Sequence, residues 1–171
     1  MIEDIKFFKQ HHCDGIVFGC LNSENKIDTK NCRKMLNAWG SNSVTFHRAF
    51  DETCKDDLEE NIKILVNLGF DRILSSGYEP SAELGITSLL KMVQFSKNMP
   101  IEILPGAGIN SLNVKKIIKA TYCKEVHFSA RSELKESITG KLQMGGSQDS
   151  QPLMVCDPSK VQEMVQILKS F

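Results

Sequence analysis

Five short runs rich in β-branched, aliphatic and aromatic residues recur along the chain at a nearly constant interval. They are 15–19 (Gly-Ile-Val-Phe-Gly), 43–47 (Ser-Val-Thr-Phe-His), 72–76 (Arg-Ile-Leu-Ser-Ser), 101–104 (Ile-Glu-Ile-Leu) and 125–129 (Glu-Val-His-Phe-Ser). Measured between Ile16, Val44, Ile73, Glu102 and Val126, the intervals are 28, 29, 29 and 24 residues. A strand, a helix and two loops fill such an interval, so the spacing predicts repeated β-α units and a parallel sheet.

The segments between the runs carry helical patterns. Leu58, Ile62, Leu65, Val66 and Leu68 form an apolar stripe, and Gly69 stands where that helix can end. Ser81 precedes a stripe through Leu84, Leu89, Leu90 and Val93, and Ser111 is placed to cap a helix through Leu112, Val114, Ile117 and Ile118. The first residues, with Ile2, Ile5, Phe7 and Phe8, read as a helix already under way, and 161–171 as another. The Gly-, Ser- and Gln-rich stretch 140–150 reads as a mobile loop.

Units of this length build either an open doubly wound sheet or a closed barrel. No Gly-x-Gly-x-x-Gly follows the first run, and every chemically loaded turn follows a strand, as at the mouth of a barrel. The expectation is a TIM-like (β/α) barrel forming one domain over 1–171. A full barrel has eight strands in about 250 residues. Five runs in 171 residues therefore predict an incomplete barrel, lacking about three N-terminal β/α units.

Composition narrows the function classes. Lys plus Arg and Asp plus Glu both number 21, which excludes binding to nucleic acid through bulk positive charge. No apolar run is long enough to span a membrane, and the N-terminus lacks the pattern of a secretory signal. The six cysteines form no Cys-x-x-Cys pair and read as reduced thiols of a cytoplasmic protein, with the nucleus left open as a second compartment.

Strand alternation predicts that Thr45, His47, Glu102, His127, Ser129 and Arg131 share one face. Such a gathering marks either a site or a satisfied polar plug. His47, Arg48, Asp51 and His127 are the catalytic candidates: two imidazoles for proton transfer or metal ligation, a guanidinium for an anion, and a carboxylate that orients them or caps a helix. Ser76, Gly106, Gly108, Ser129 and Arg131 are the candidates for binding a small, anionic or phosphorylated, ligand. Gly106-Ala107-Gly108 lets a ligand approach backbone amides, at the place where barrels often hold phosphate. Among soft metal ligands, Cys20 follows the first strand and Cys54 follows the His-Arg-x-x-Asp loop, whereas neighbouring His11, His12 and Cys13 point in different directions on a helix.

In this order, five motifs resemble the CutC copper-homeostasis family: Asp14 to Gly19, Val44 to Asp51 (VTFHRAFD), Asp71 to Gly77, Leu104 to Ile109 and Glu125 to Arg131. The resemblance covers nearly the whole chain, and identifies it as an N-terminally shortened member. It implies a TIM-like barrel that is cytosolic and often homo-oligomeric, a role in copper handling through Cu(I), and no settled enzymatic reaction. The family's Glu-Leu-Cys and Arg-Pro-Arg-Gly-Gly motifs are absent. The resemblance carries over His47, Arg48, Asp51, Ser76, Gly106, Gly108, His127, Ser129 and Arg131 as residues of the mouth. It places Cys54 where some relatives have Cys, and Cys20 where many have Ala. Beside copper binding, two readings stay open: a barrel enzyme for a small anionic substrate, and an inactive shortened isoform.

Overall fold

The computed structural model describes residues 1–40, 43–134 and 153–171. The loop expected over 140–150 lies outside the described residues. The chain divides into two compact units, Met1–Phe128 and Ser129–Phe171.

The first unit runs α1 (Ile2–Gln10), β1 (Gly15–Phe18), α2 (Thr29–Trp39), β2 (Ser43–Phe46), α3 (Leu58–Leu68), β3 (Arg72–Ser75), α4 (Ile86–Ser96), β4 (Glu102–Pro105) and α5 (Val114–Thr121). Its sheet is wholly parallel, in the order β1-β2-β3-β4. The winding never reverses, so the sheet has no switch point of the doubly wound kind and is an incomplete TIM-like (β/α) barrel.

One face of the sheet is buried under helices. Phe18, Phe46 and Phe70 form its aromatic centre, with neighbouring ring centroids 5.2 Å apart for Phe18–Phe70 and 5.2 Å for Phe46–Phe70. Each such pair is worth about 1 kcal/mol beyond the area it buries. Ile62 and Leu65 of α3, Leu89 and Met92 of α4, and Val114 and Ile117 of α5 are fully buried with Ile73 and Ile103 of the sheet. The other face carries Val17, Thr45, Arg72, Leu74, Glu102 and Leu104, in register across the four strands. Val17, on the edge strand, is 61% exposed.

Local signals act largely as expected. Gly69 ends α3 in the left-handed conformation, with its own N–H donating to Leu65 and that of Phe70 reaching back to the same carbonyl. The Asp28 carboxylate caps α2 by accepting from Asn31 N–H at 2.9 Å. The cap expected at Ser111 falls elsewhere: Asn113 is the N-cap of α5, and Asn110 accepts from Leu112 N–H through its side chain. Leu112 is consequently left outside the helix and 93% exposed.

The fifth run is also corrected. Residues 125–129 do not form a strand. His127 N–H donates to Pro105 C=O at 2.8 Å, continuing the pattern for one bond only, while Arg72 holds Glu125 by a bidentate ion pair at 2.6 and 3.1 Å. In the second unit, β5 (Arg131–Glu133) pairs antiparallel with β6 (Met154–Cys156), and α6 (Pro158–Leu168) follows. Asp157 caps α6 by accepting from Ser159 N–H and also accepts from the Ser132 hydroxyl at 2.8 Å.

Candidate functional site

The connections that follow β2 and β3 meet at Asp51. After β2 the chain enters a 3-10 turn, Arg48–Glu52, which places Asp51 under β3's last residue. The Asp51 side chain is only 5% exposed. Its Oδ1 accepts from the Ser75 hydroxyl at 2.5 Å and from Tyr78 N–H at 3.3 Å. Its Oδ2 accepts from Ser76 N–H at 3.0 Å and from Arg48 Nε at 2.9 Å. A carboxylate so occupied has no lone pair left for a substrate, so its work here is to position neighbours.

Arg48 is the neighbour that benefits. Nε is fixed by Asp51, and Nη2 donates to Ser76 Oγ at 2.9 Å. The single Ser76 hydroxyl proton lies between Asp51 Oδ2 at 3.0 Å and Glu79 C=O at 2.5 Å. The Arg48 side chain is 45% exposed, and among the described residues Nη1 has no acceptor. The result is an oriented, half-open guanidinium edge suited to an anion.

His47 is tied down as well. Ala49 N–H donates to its Nδ1 at 3.1 Å, which puts the ring proton on Nε2. Nε2 thus offers a hydrogen-bond donor outward. Metal ligation through Nε2 would need a proton on Nδ1 and would break the cap. The ring lies against Gly19, where an added Cβ would stand 2.7 Å from Nδ1.

The Pro105–Asn110 loop is shaped by left-handed residues, Ala107 at φ 79° and Gly108 at φ 70°. Gly108 C=O accepts from the Asn113 side chain at 2.9 Å, and Gly106 N–H is taken by Ser75 C=O. Among the described residues the N–H groups of Ala107 and Gly108 have no protein acceptor. An added Cβ on Gly106 would meet Leu74 at 2.6 Å and His127 at 3.5 Å, so Gly106, Leu74 and His127 share a face. Register puts His47 on that face too. Glu102 lies lower, level with Thr45 and Arg72, and is paired with Lys124. Ser129 and Arg131 belong to the second unit; both are exposed, and Arg131 opens β5.

The two thiols expected as metal ligands are placed differently. Cys54 is exposed, just before the short 3-10 turn Lys55–Asp57. Cys20 is half-buried, and burial pushes its thiol pKa up. Among the described residues no three His, Cys, Asp or Glu side chains are grouped to hold a metal ion. Beside the knot, burial pushes the Tyr78 hydroxyl up to about 12. Sequence reasoning placed Ser75 at the border of the mouth and passed over Tyr78; only the meeting of two loops shows them as Asp51's partners.

A singly wound parallel sheet, with polar groups on the connections after its strands, defines a (β/α)-barrel protein. Its family follows from comparison. The CutC family profile matches residues 1–132. A CutC family protein of Bacteroides fragilis is 42% identical over 150 residues, 86% of this chain and 59% of the relative. The Drosophila melanogaster protein named copper homeostasis protein cutC homolog is 35% identical over 178 residues, 100% of this chain and 67% of the relative. The crystal structure of CutC from Streptococcus agalactiae superposes with a TM-score of 0.70 and 34% identity, covering 74% of this chain and 60% of that one. The chain belongs to the CutC family, and spans about three fifths of the length of the Bacteroides relative.

Proposed function

We propose that this protein serves copper homeostasis by holding Cu(I) as cargo in the cytosol, with the nucleus as a second compartment. The observation that carries the reading is end-to-end similarity to a protein named for copper homeostasis. Cytosolic thiols stay reduced, the state in which cysteine binds Cu(I). Cys20 and Cys54 are the thiols we assign to the metal. The test is an anaerobic Cu(I) titration of the full chain and of its Cys20→Ala and Cys54→Ala variants. Stoichiometric binding weakened by either change supports the reading, and a wild-type chain that takes up no Cu(I) ends it.

A second reading is favoured by the Arg48 edge. A small anion such as phosphate would bind Arg48 Nη1, with Ser76 holding the guanidinium and the Ala107 and Gly108 amides, His47 and His127 lying on neighbouring connections of the same sheet. The family motif marks Ser129 and Arg131, in the second unit, as anion-binding candidates in their own right. In a phosphate titration followed by NMR, Arg48→Gln should abolish the shifts of residues 75–77 and 106–108; shifts that persist would remove Arg48 from the site. The outer edge of β1 is unpaired among the described residues, which supports a homo-oligomer. A sedimentation run showing monomers only would refute it.

A further inference from the structure

Away from Asp51, the side chains of Cys20, Cys32 and Met35 gather about the first turns of α2. After β1 the chain folds back on itself: Leu21 and Ile27 form an antiparallel bridge, and Asp28 N–H donates to Cys20 C=O at 2.9 Å. The Asn22 side chain closes the turn by accepting from the N–H groups of Glu24 and Lys26. This brings Asp28, the cap of α2, back beside Cys20. Cys32 and Met35 stand three residues apart on α2 and so lie on one side of the helix.

That side faces Cys20. The Cys20 Sγ to Met35 Sδ distance is 3.9 Å. The Cys32 thiol donates toward Cys20 C=O at 3.9 Å. Cys32 is fully buried, while Cys20 and Met35 are half-exposed and leave the cluster open to solvent.

We propose that Cys20, Cys32 and Met35 form a three-sulfur binding site for Cu(I). The inference rests on the copper reading above for the identity of the cargo; it keeps Cys20 as a ligand and replaces the exposed Cys54 with Cys32 and Met35. Three sulfurs each about 2.3 Å from a central ion stand about 4 Å apart when the site is planar and trigonal. The separation of 3.9 Å between Cys20 Sγ and Met35 Sδ matches one side of that triangle. A thioether beside two thiolates discriminates against hard ions and favours Cu(I). Structural zinc wants a fourth protein ligand, and among the described residues no third His, Cys, Asp or Glu joins this group.

Binding is not a redox step. Two S–H bonds break and their protons leave to solvent. Two thiolate–copper bonds and one thioether–copper bond form, and the copper stays Cu(I). The charge of the site falls by one unit. Cys32 is fully buried, so the charge of the copper ion must offset that of its thiolate.

The test is an anaerobic competition between the full chain and the coloured Cu(I) chelator bicinchoninate, with copper K-edge X-ray absorption on the loaded protein. The wild type should withhold one equivalent and show three sulfur neighbours at about 2.3 Å. Cys20→Ala and Cys32→Ala should each lose that equivalent. Met35→Leu keeps the side-chain volume and removes only the sulfur, so it should fold normally by circular dichroism and bind at least tenfold more weakly. Cys156→Ala, in the second unit, should bind as the wild type does. Full affinity in Met35→Leu, or nitrogen and oxygen neighbours at the copper, overturns the three-sulfur site. Binding unchanged in Cys20→Ala and Cys32→Ala but lost in Cys54→Ala overturns it too, while leaving the copper reading standing. A wild type that binds no Cu(I) overturns both.

Discussion

Asp51 and Ser76 grip each other twice: the backbone N–H of Ser76 donates to Asp51 Oδ2 at 3.0 Å, and its hydroxyl lies at 3.0 Å from the same oxygen. The contact spans 25 residues of sequence and locks the connection after β2 to the end of β3. Everything that aims Arg48 passes through it.

Asp51→Asn should therefore destabilise the fold. The amide would present N–H groups to donors that now find a carboxylate. Hydrogen bonds to a charged group are worth about 1.5–3 kcal/mol each, and part of this is lost at a 5%-exposed site. We expect a loss of about 3 kcal/mol in urea unfolding. A loss below about 1 kcal/mol would show that the knot contributes little.

Two glycine-to-alanine changes should behave in opposite ways. A Cβ on Gly85 would overlap the backbone carbonyl of Ser76, so Gly85→Ala must push apart the β3–α4 turn. Gly69 is left-handed, at φ +92°, but its added Cβ would meet nothing within 4 Å. Gly69→Ala should cost about 1 kcal/mol of backbone strain, and Gly85→Ala about 3 kcal/mol or more. Thermal melts of the two variants measure the difference; equal melts would contradict it.

Tyr78 predicts how stability falls in alkali. Burial is the main cause holding its hydroxyl up at about 12, with the Asp51 charge adding to it, against an ordinary tyrosine value of 10.0. A folded-state pKa above the unfolded one means that the folded state prefers the proton. The contribution is complete below pH about 10 and disappears as the pH climbs toward about 12. Tyr78→Phe should flatten this part of the pH–stability curve. Absorbance at 295 nm in a Tyr122→Phe background should show Tyr78 ionising late; ionisation near pH 10 would refute the prediction.

The Arg72–Glu125 pair fastens the 125–128 segment to the sheet. Both side chains are partly exposed, at 33% and 37%, and Arg72 also donates to the Ser43 hydroxyl at 2.7 Å. A double-mutant cycle with Arg72→Met and Glu125→Gln should give a coupling of about 0.5–1 kcal/mol, reduced by salt. Coupling indistinguishable from zero at low salt would mean that the segment is held by other contacts.

The first four strands were legible to within a residue at each end, because Val, Ile and Phe runs between turn residues need no tertiary help to be recognised. Gly69 was legible for a similarly local reason. Ser111 misled, since Asn110 and Asn113 turn the chain there, Asn110 accepting from Leu112 N–H and Asn113 from Asn110 N–H, and α5 starts only after Asn113. The run at 125–129 carried a strand's composition, yet only one backbone bond to β4 forms. Of the candidate site residues, His47, Arg48, Asp51, Ser76 and Gly106 stand in the motifs that the sequence displays. That Asp51 serves as an acceptor for two loops could not be read from them.

By itself, the sequence determined the repeat and the parallel sheet, since period and side-chain alternation are local properties of the backbone. It also marked the polar residues that follow the strands. Tertiary structure decided which of these meet. A carboxylate's partners, and the approach of Cys20 to Cys32 and Met35, depend on how loops close on each other. Loop closure is set by distant hydrogen bonds and burial, which residue order does not display.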